Sequence, residues 1–380
     1  MHLLTGLLLA IQVAPGSPGV ASDTPAVHVA IGWGVDTVAS PNREIFALWR
    51  AYLSRHPEAG QKTDLWSAAE QARWPAFDLL RLVYQGFPKL TVVQLAPAAG
   101  LDSTWVIRTL VAGVYDSAQD VKPLALYRVY ATRESGRWVL ANALPRTTRT
   151  WKRVTIGPVT FVYPPTHRFD RVDARGSARF VDSLARAFGV PVPAHLTYYV
   201  ADNVDEIQRA WGLEYFPTGP DTIWGQTIGN AMVVTAGAGE RHRHELAHHV
   251  LAPLFQAGHG NRLVAEGLAT WVGGMQGIFY PKLLPALRRY LAEHPEVTLD
   301  SVFENPPQRQ GTLDVGYVGA AVLCATVYAA GGVAAVRELA AAGPLAETVL
   351  AVAARLVGVS PGDLDGRWRR ELGIRRREGA

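Results

Sequence analysis

The run Arg-His-Arg-His-Glu-Leu-Ala-His-His, ending at His249, holds four of the chain's eleven histidines within eight residues. Inside it, His244, Glu245 and His248 read His-Glu-x-x-His. Side chains four apart on an α-helix leave from the same face, so this run, wound as a helix, aims two imidazoles at one point and can grip a metal ion there. Glu245, one residue on from the first histidine, approaches the same point from the side, where it can hold a water. The register is unambiguous, because Leu246 stands four residues after His242 and no inverted His-x-x-Glu-His is present. The flanks also read as helix. Gly239 and Glu240 lie at the start, while Leu246, Val250, Leu251 and Leu254 give apolar positions to bury, and Pro253 marks the end.

A zinc site that does chemistry needs a third protein ligand and an open fourth position. Downstream comes Ala-Glu-Gly-Leu-Ala-Thr-Trp, with Glu266 eighteen residues after His248. Pro253, Gly258 and Gly260 interrupt the chain between the two segments, so a second helix can turn back and present Glu266. His244-Glu245-x-x-His248 followed by Glu266-Gly267-Leu268-Ala269 resembles the gluzincin zinc metallopeptidases, in particular the bacterial peptidase MA-like group, over roughly residues 155–375. The resemblance implies one zinc per chain, held by His244, His248 and Glu266, with Glu245 as general base. Such enzymes also carry a tyrosine that opens a later helix near the metal. Gly316-Tyr317-Val318-Gly319 is similar, which implies Tyr317 as a hydrogen-bond donor to the developing oxyanion; packing in a core is the other reading of that ring.

The chain departs from the family pattern twice. Residue 249 is histidine where an aliphatic side chain is usual. Protonated, it would favour an ionised Glu245, four residues before it; otherwise it is a solvated or hydrogen-bonded side chain. Thr270 stands four residues after Glu266, where several gluzincins place a carboxylate that orients a ligand histidine; a hydroxyl could serve, or the orienting group could come from elsewhere.

At 380 residues the chain can hold two domains, and 48% hydrophobic residues with eleven tryptophans argue against disorder. Net charge is +4, with arginines scattered among acids and clustered only at Arg369-Arg370 and Arg375-Arg376-Arg377. Without interleaved aromatic residues, that cluster reads as a solvated tail, and no nucleic-acid partner is expected. The N-terminal run from Leu3 to Ala14 is apolar but short for a membrane span, and suits a secretory signal cleaved after Ala21; its weak feature is a start without lysine or arginine. Export follows as the expected location. Cys324 is the single cysteine, so no intramolecular disulfide forms. From Val315 to Val336 no residue is charged, yet alanine and glycine dominate, so a buried helix over the metal site is expected and no integral span after signal removal.

Helical spacing of Ile45, Leu48, Trp49 and Leu53 predicts a first helix, and a second helical region follows near Leu65–Val83. Strands are expected over Leu90–Leu95, Thr104–Tyr115, Leu124–Thr132 and Arg137–Leu144, the last two joined as a hairpin through Glu134-Ser135-Gly136. This order is similar to the cone-shaped nuclear-transport-factor-2-like fold, which implies an accessory domain over residues 22–150 that binds a small molecule or serves as a spacer. Pro145–Trp151 is the expected boundary. Beyond it, strands Val159–Tyr163, His195–Val200 and Asn230–Thr235 alternate with helices near Ser177–Phe188 and Val204–Trp211, and the last strand is a candidate edge for an extended substrate. The rest, to residue 380, is helical.

The fold class is therefore α+β: a cone-like helix and antiparallel-sheet domain, then a zincin-type domain with a small mixed sheet and a helical C-terminal half. The expected function is zinc-dependent hydrolysis of a peptide or protein substrate. The aminopeptidase branch is disfavoured, since its Gly-Ala-Met-Glu-Asn motif has only Gly229-Asn230-Ala231-Met232-Val233 as a counterpart, without glutamate. Two other readings stand beside it: a zincin-fold binding protein that no longer turns over substrate, and small-molecule binding by the N-terminal domain.

Overall fold

The computed structural model describes residues 28–54, 64–73, 89–101, 103–114, 121–216, 223–228, 232–255 and 260–374. The expected signal segment, most of the second helical region, the Gly229-Asn230-Ala231 stretch and the final arginine triplet lie outside them.

The N-terminal half is built on one sheet. A short strand β1 (Val29–Ile31) precedes helices α1 (Asn42–Ser54) and α2 (Ala68–Arg73), and then come β2 (Lys89–Pro97), β3 (Thr104–Val114), β4 (Val121–Glu134) and β5 (Arg137–Asn142). These five pair in chain order, antiparallel except for β1 on β2. The β4–β5 hairpin turns on Ser135 and Gly136, both at positive φ, as a two-residue turn matched to strand twist requires. Helix α1 buries the stripe Ile45, Trp49, Tyr52 and Leu53, and the indole of Trp49 donates to Thr109 Oγ1 at 2.9 Å, so the one polar atom of this buried ring is satisfied.

After a short helix α3 (Leu144–Thr147), the chain forms β6 (Lys152–Ile156), β7 (Val159–Tyr163), α4 (Arg171–Phe188), β8 (Leu196–Ala201), α5 (Val204–Trp211), β9 (Leu213–Tyr215), β10 (Trp224–Ile228) and β11 (Met232–Ala236). The second sheet has the order β10-β11-β8-β7-β6, with a parallel centre and antiparallel strands at both edges. Helix α4 starts earlier than the periodicity of Phe180, Leu184 and Phe188 predicts, because Asp170 caps it by accepting from the amides of Val172 and Asp173.

The two sheets share a core. Side chains of the central strands alternate, so that Phe161, Tyr198, Val200 and Val233 face the helices while Val162, Tyr199, Met232 and Val234 join Trp49, Tyr127 and Trp211 beneath the first sheet. Strand β9 reaches across and pairs with β4, placing Tyr215 opposite Leu126 and Leu213 opposite Tyr127.

The remainder is helical: α6 (Arg243–Leu251), α7 (Arg262–Gly273), α8 (Tyr280–Glu293), α9 (Leu299–Glu304), α10 (Val315–Ala340), α11 (Ala346–Leu356) and α12 (Leu364–Glu371). Helix α10 is long and apolar enough to cross a membrane, but its first half is buried against α7 and its helical dihedrals break at Gly331 and Gly332. Close approach of α7 and α10 depends on Gly267, where a Cβ would fall 2.7 Å from the carbonyl carbon of Ala320.

Candidate metal centre

Helix α6 is buried on nearly every side, with Leu246 and Val250 in the core and His244 and Glu245 only 8% exposed. Such a helix is held by packing, not by an amphipathic face. Its entry is fixed by polar contacts. The amide of His242 donates to Tyr198 Oη at 3.1 Å, and that hydroxyl donates to the carbonyl of Gly239 at 2.7 Å. The Thr235 hydroxyl donates to the Trp224 carbonyl at 2.9 Å, which leaves its oxygen to accept from His242 Nδ1 at 2.6 Å. Burial holds the His242 imidazole down at about 4, so that ring is neutral.

Helix α7 begins at the Asn261 cap, whose side chain accepts from the Val264 amide at 3.2 Å, and returns antiparallel to α6. Its last turn meets the first turn of α6: a Cβ on Gly273 would sit 2.6 Å from the carbonyl oxygen of Arg243. This return brings Glu266 to the two histidines. His244 Nε2, His248 Nε2 and Glu266 Oε2 form a triangle with all three sides at 3.1 Å. Tetrahedral zinc with ligand distances near 2.0–2.1 Å separates its ligand atoms by roughly 3.3 Å, so the triangle has the size such an ion needs. The chemistry of the donors fits as well. His244 Nδ1 donates to the Gly274 carbonyl at 2.8 Å, so in the neutral ring Nε2 carries a lone pair that faces another imidazole nitrogen and a carboxylate. Lone pairs converging in this way call for a cation between them. Burial works against an ionised Glu266, but positive charge at the His248 and His244 positions outweighs it and holds its carboxyl well below the usual carboxylate range.

Glu245 lies beside this triangle and is not part of it. Its carboxylate faces β10, where the Thr227 hydroxyl stands 2.9 Å from Oε2 and 2.8 Å from the Glu245 backbone oxygen. The Tyr317 ring stacks on His244 with centroids 6.2 Å apart and an interplanar angle of 4°. Burial and the neighbouring Glu266 carboxylate push its phenol well above its ordinary value, so the hydroxyl keeps its proton. Arg262 donates to the Tyr317 oxygen at 3.3 Å.

Two sequence expectations change here, and one left open is decided. The sheet edge is β10, not the strand ending at Thr235, because Met232–Ala236 runs between β10 and β8 and is buried throughout. His249 is not solvated, and its Nδ1 has no hydrogen-bond partner among the described residues; it is buried, and desolvation lowers its imidazole to about 4, so it stays neutral. Thr270 does not orient a histidine: its buried hydroxyl oxygen has no hydrogen-bond partner among the described residues, and the Gly274 carbonyl orients His244 instead. Sequence reasoning missed Gly274, Thr227 and Arg262. The first acts through its backbone, which no motif encodes. Arg262 stands one helical turn before Glu266, a spacing that would have flagged it.

No family model matches the chain, and no curated protein matches it. Among solved structures, it is similar to an M1 zinc metallopeptidase from Deinococcus radiodurans at 13% identity and a TM-score of 0.31, covering 75% of this chain and 62% of that one. A mutant of that protein bound to a Tyr-Ser-Ala substrate gives 14% identity and a TM-score of 0.32, with 74% and 62% covered. A two-domain M1 zinc metallopeptidase mutant bound to L-arginine gives 13% and 0.31, with 76% and 63% covered. The chain thus spans less than two thirds of the length of these structures.

Proposed function

We propose that the chain is a zinc-dependent hydrolase of peptide bonds, a zincin of the gluzincin kind with His244, His248 and Glu266 as ligands. The observation that carries this reading is the triangle of two imidazole nitrogens and one carboxylate oxygen at 3.1 Å, with a second carboxylate, Glu245, beside it and free of it. A purely structural metal site has no need of that fourth group.

A zinc ion held there would polarise the scissile carbonyl and render a water acidic near neutral pH. Glu245 accepts that water's proton as its oxygen adds to the carbonyl carbon, and passes the proton to the nitrogen as the C–N bond breaks. Tyr317 donates to the carbonyl oxygen as negative charge gathers on it. Arg262 donates into the phenolic oxygen, which leaves the phenolic hydrogen to face an acceptor, here the Glu266 carboxylate beside the metal centre. The outer edge of β10 has no strand partner among the described residues and can receive an extended peptide main chain to main chain. Export through the N-terminal apolar run, with the mature chain starting near Ser22, belongs to the same reading.

The test is Glu245→Gln, which keeps the side chain's size and removes its basicity. With the zinc-loaded full chain and a peptide found by library screening, hydrolysis is expected to fall about a hundredfold or more while zinc content and melting temperature stay at wild-type values. Undiminished cleavage by the zinc-replete variant would overturn the mechanism.

A further inference from the structure

We infer that Thr227, on the edge strand, is the residue that positions the general base, an inference that rests on the hydrolase reading above. Strand β10 lies directly on helix α6. At Gly225 a Cβ would fall 2.5 Å from His242 Cε1 and 2.6 Å from Glu245 Cγ, so only a residue without a side chain lets the strand come this close. Side chains alternate along a strand, so Thr227, two residues on, faces the same helix, whereas Trp224 packs toward the core between the sheets. The contact is therefore fixed by backbone packing and not by the reach of a long side chain.

The Thr227 hydroxyl has one hydrogen and two acceptors in range, Glu245 Oε2 at 2.9 Å and the Glu245 carbonyl at 2.8 Å. The carbonyl lies inside α6 and already accepts the helical bond from the amide four residues on. The carboxylate has no other hydrogen-bond donor among the described residues, and a bond to an ionised acceptor is the stronger of the two. Thr227 thus holds Oε2 and leaves Oε1 to take the proton from the attacking water. A glutamate side chain has three rotatable bonds, and a base freed from this hold spends less time in the productive pose. The same strand offers its free edge to the substrate, so one element sets both the peptide and the base that serves it.

The experiment compares Thr227→Val, which keeps the shape and deletes the hydroxyl, with Thr227→Ser, which keeps the hydroxyl, each in the zinc-loaded full chain. For Thr227→Val, kcat is expected to fall about tenfold with KM within about twofold of wild type and one zinc retained, and Thr227→Ser to recover most of the loss. In a Glu245→Gln background, Thr227→Val is expected to cost little more, because it acts through Glu245. Unchanged kcat in Thr227→Val, equal losses in the Val and Ser variants, or a full additional loss in the Glu245→Gln background would each overturn the inference. A crystal structure of zinc-loaded Thr227→Val gives a readout that needs no substrate. There the Glu245 carboxylate should leave its wild-type position or spread over several rotamers, and a carboxylate unmoved and fully ordered refutes the positioning role. If Glu245→Gln itself hydrolyses normally, the hydrolase reading fails; if only Thr227→Val does, this inference fails alone.

Discussion

His244 Nδ1 donates to the backbone carbonyl of Gly274 at 2.8 Å, and this contact joins the first imidazole of the candidate metal centre to the end of the helix that carries Glu266. The two donors are thereby held in one rigid unit: helix α7 sets Glu266 from its middle and sets the His244 ring from its C-terminus. A carboxylate four residues after Glu266 is dispensable in such an arrangement, which accounts for a threonine at position 270 whose hydroxyl oxygen has no partner among the described residues.

Gly273→Ala tests that unit. The added Cβ would meet the carbonyl oxygen of Arg243 at 2.6 Å and the amide nitrogen of His244 at 2.7 Å, both backbone atoms that cannot swing aside. Helices α6 and α7 must part, moving the Gly274 carbonyl off His244. Zinc affinity is expected to drop about tenfold to a hundredfold, the scale for losing a group that orients a ligand. Stability is expected to drop by about 1–3 kcal/mol, the scale for overpacking. Competition with a metal chelator and thermal melts read the two effects separately.

His248→Ala addresses the metal directly. Two donors in place of three leave His244 and Glu266 with no closed grip, and stoichiometric zinc is expected to be lost in elemental analysis of the purified protein. Because β1–β5 and α1 pack on residues remote from α6, their far-ultraviolet signature should persist. A variant that still holds one zinc per chain would show that the ligand assignment is wrong.

How far the sequence revealed this site depends on how local each signal is. His244, Glu245 and His248 are written within one helical turn, and a spacing rule suffices to place them together. Glu266 comes into reach through breakers at Pro253 and Gly260, which are also visible in the chain. The edge strand is hidden because Trp224–Ile228 falls in a stretch rich in Gly, Pro, Thr and Asp that reads as a loop, while the apolar run Met232–Ala236 reads the same at an edge as in the interior; only pairing on both sides decides. The start of helix α4 is not legible from apolar spacing, because its first turn, Arg-Val-Asp-Ala, is mostly polar and depends on the cap at Asp170. His249 reads as solvated or hydrogen-bonded because histidine commonly is, yet the helix around it is buried on nearly every side.

His167 supplies a pH-dependent clamp ahead of the metal helix. Its Nδ1 lies 2.6 Å from Asp202 Oδ1 and its Nε2 2.9 Å from Glu240 Oε1, while the Tyr163 ring packs against it. Burial alone would lower this imidazole, but Glu240 and Asp202 outweigh it and raise it above its ordinary value of 6.5. A raised folded-state value means that the clamp's contribution is complete below about 6.5 and is lost as pH climbs through the higher folded value. The melting-temperature gap between wild type and His167→Gln is therefore expected to be wider at pH 6 than at pH 9. A gap that is constant or grows with pH would contradict the ion-paired state.

Tyr317→Phe separates a catalytic hydroxyl from a packing ring. The phenyl ring can keep its stack on His244, so zinc content and stability should stay near wild type. What disappears is a donor placed beside the metal centre, where it faces Glu266, together with the acceptor of the Arg262 bond. If that donor serves the oxyanion, its loss removes about 3 kcal/mol of transition-state stabilisation, or roughly a hundredfold in kcat, with KM little changed because the charge it meets does not exist in the bound substrate. Single-turnover and steady-state measurements on one peptide, with zinc quantified in each sample, distinguish the outcomes. A fall confined to kcat assigns the hydroxyl to the reaction. Wild-type kcat in Tyr317→Phe would reduce Tyr317 to a wall of the site and leave the carbonyl oxygen to be met by other groups.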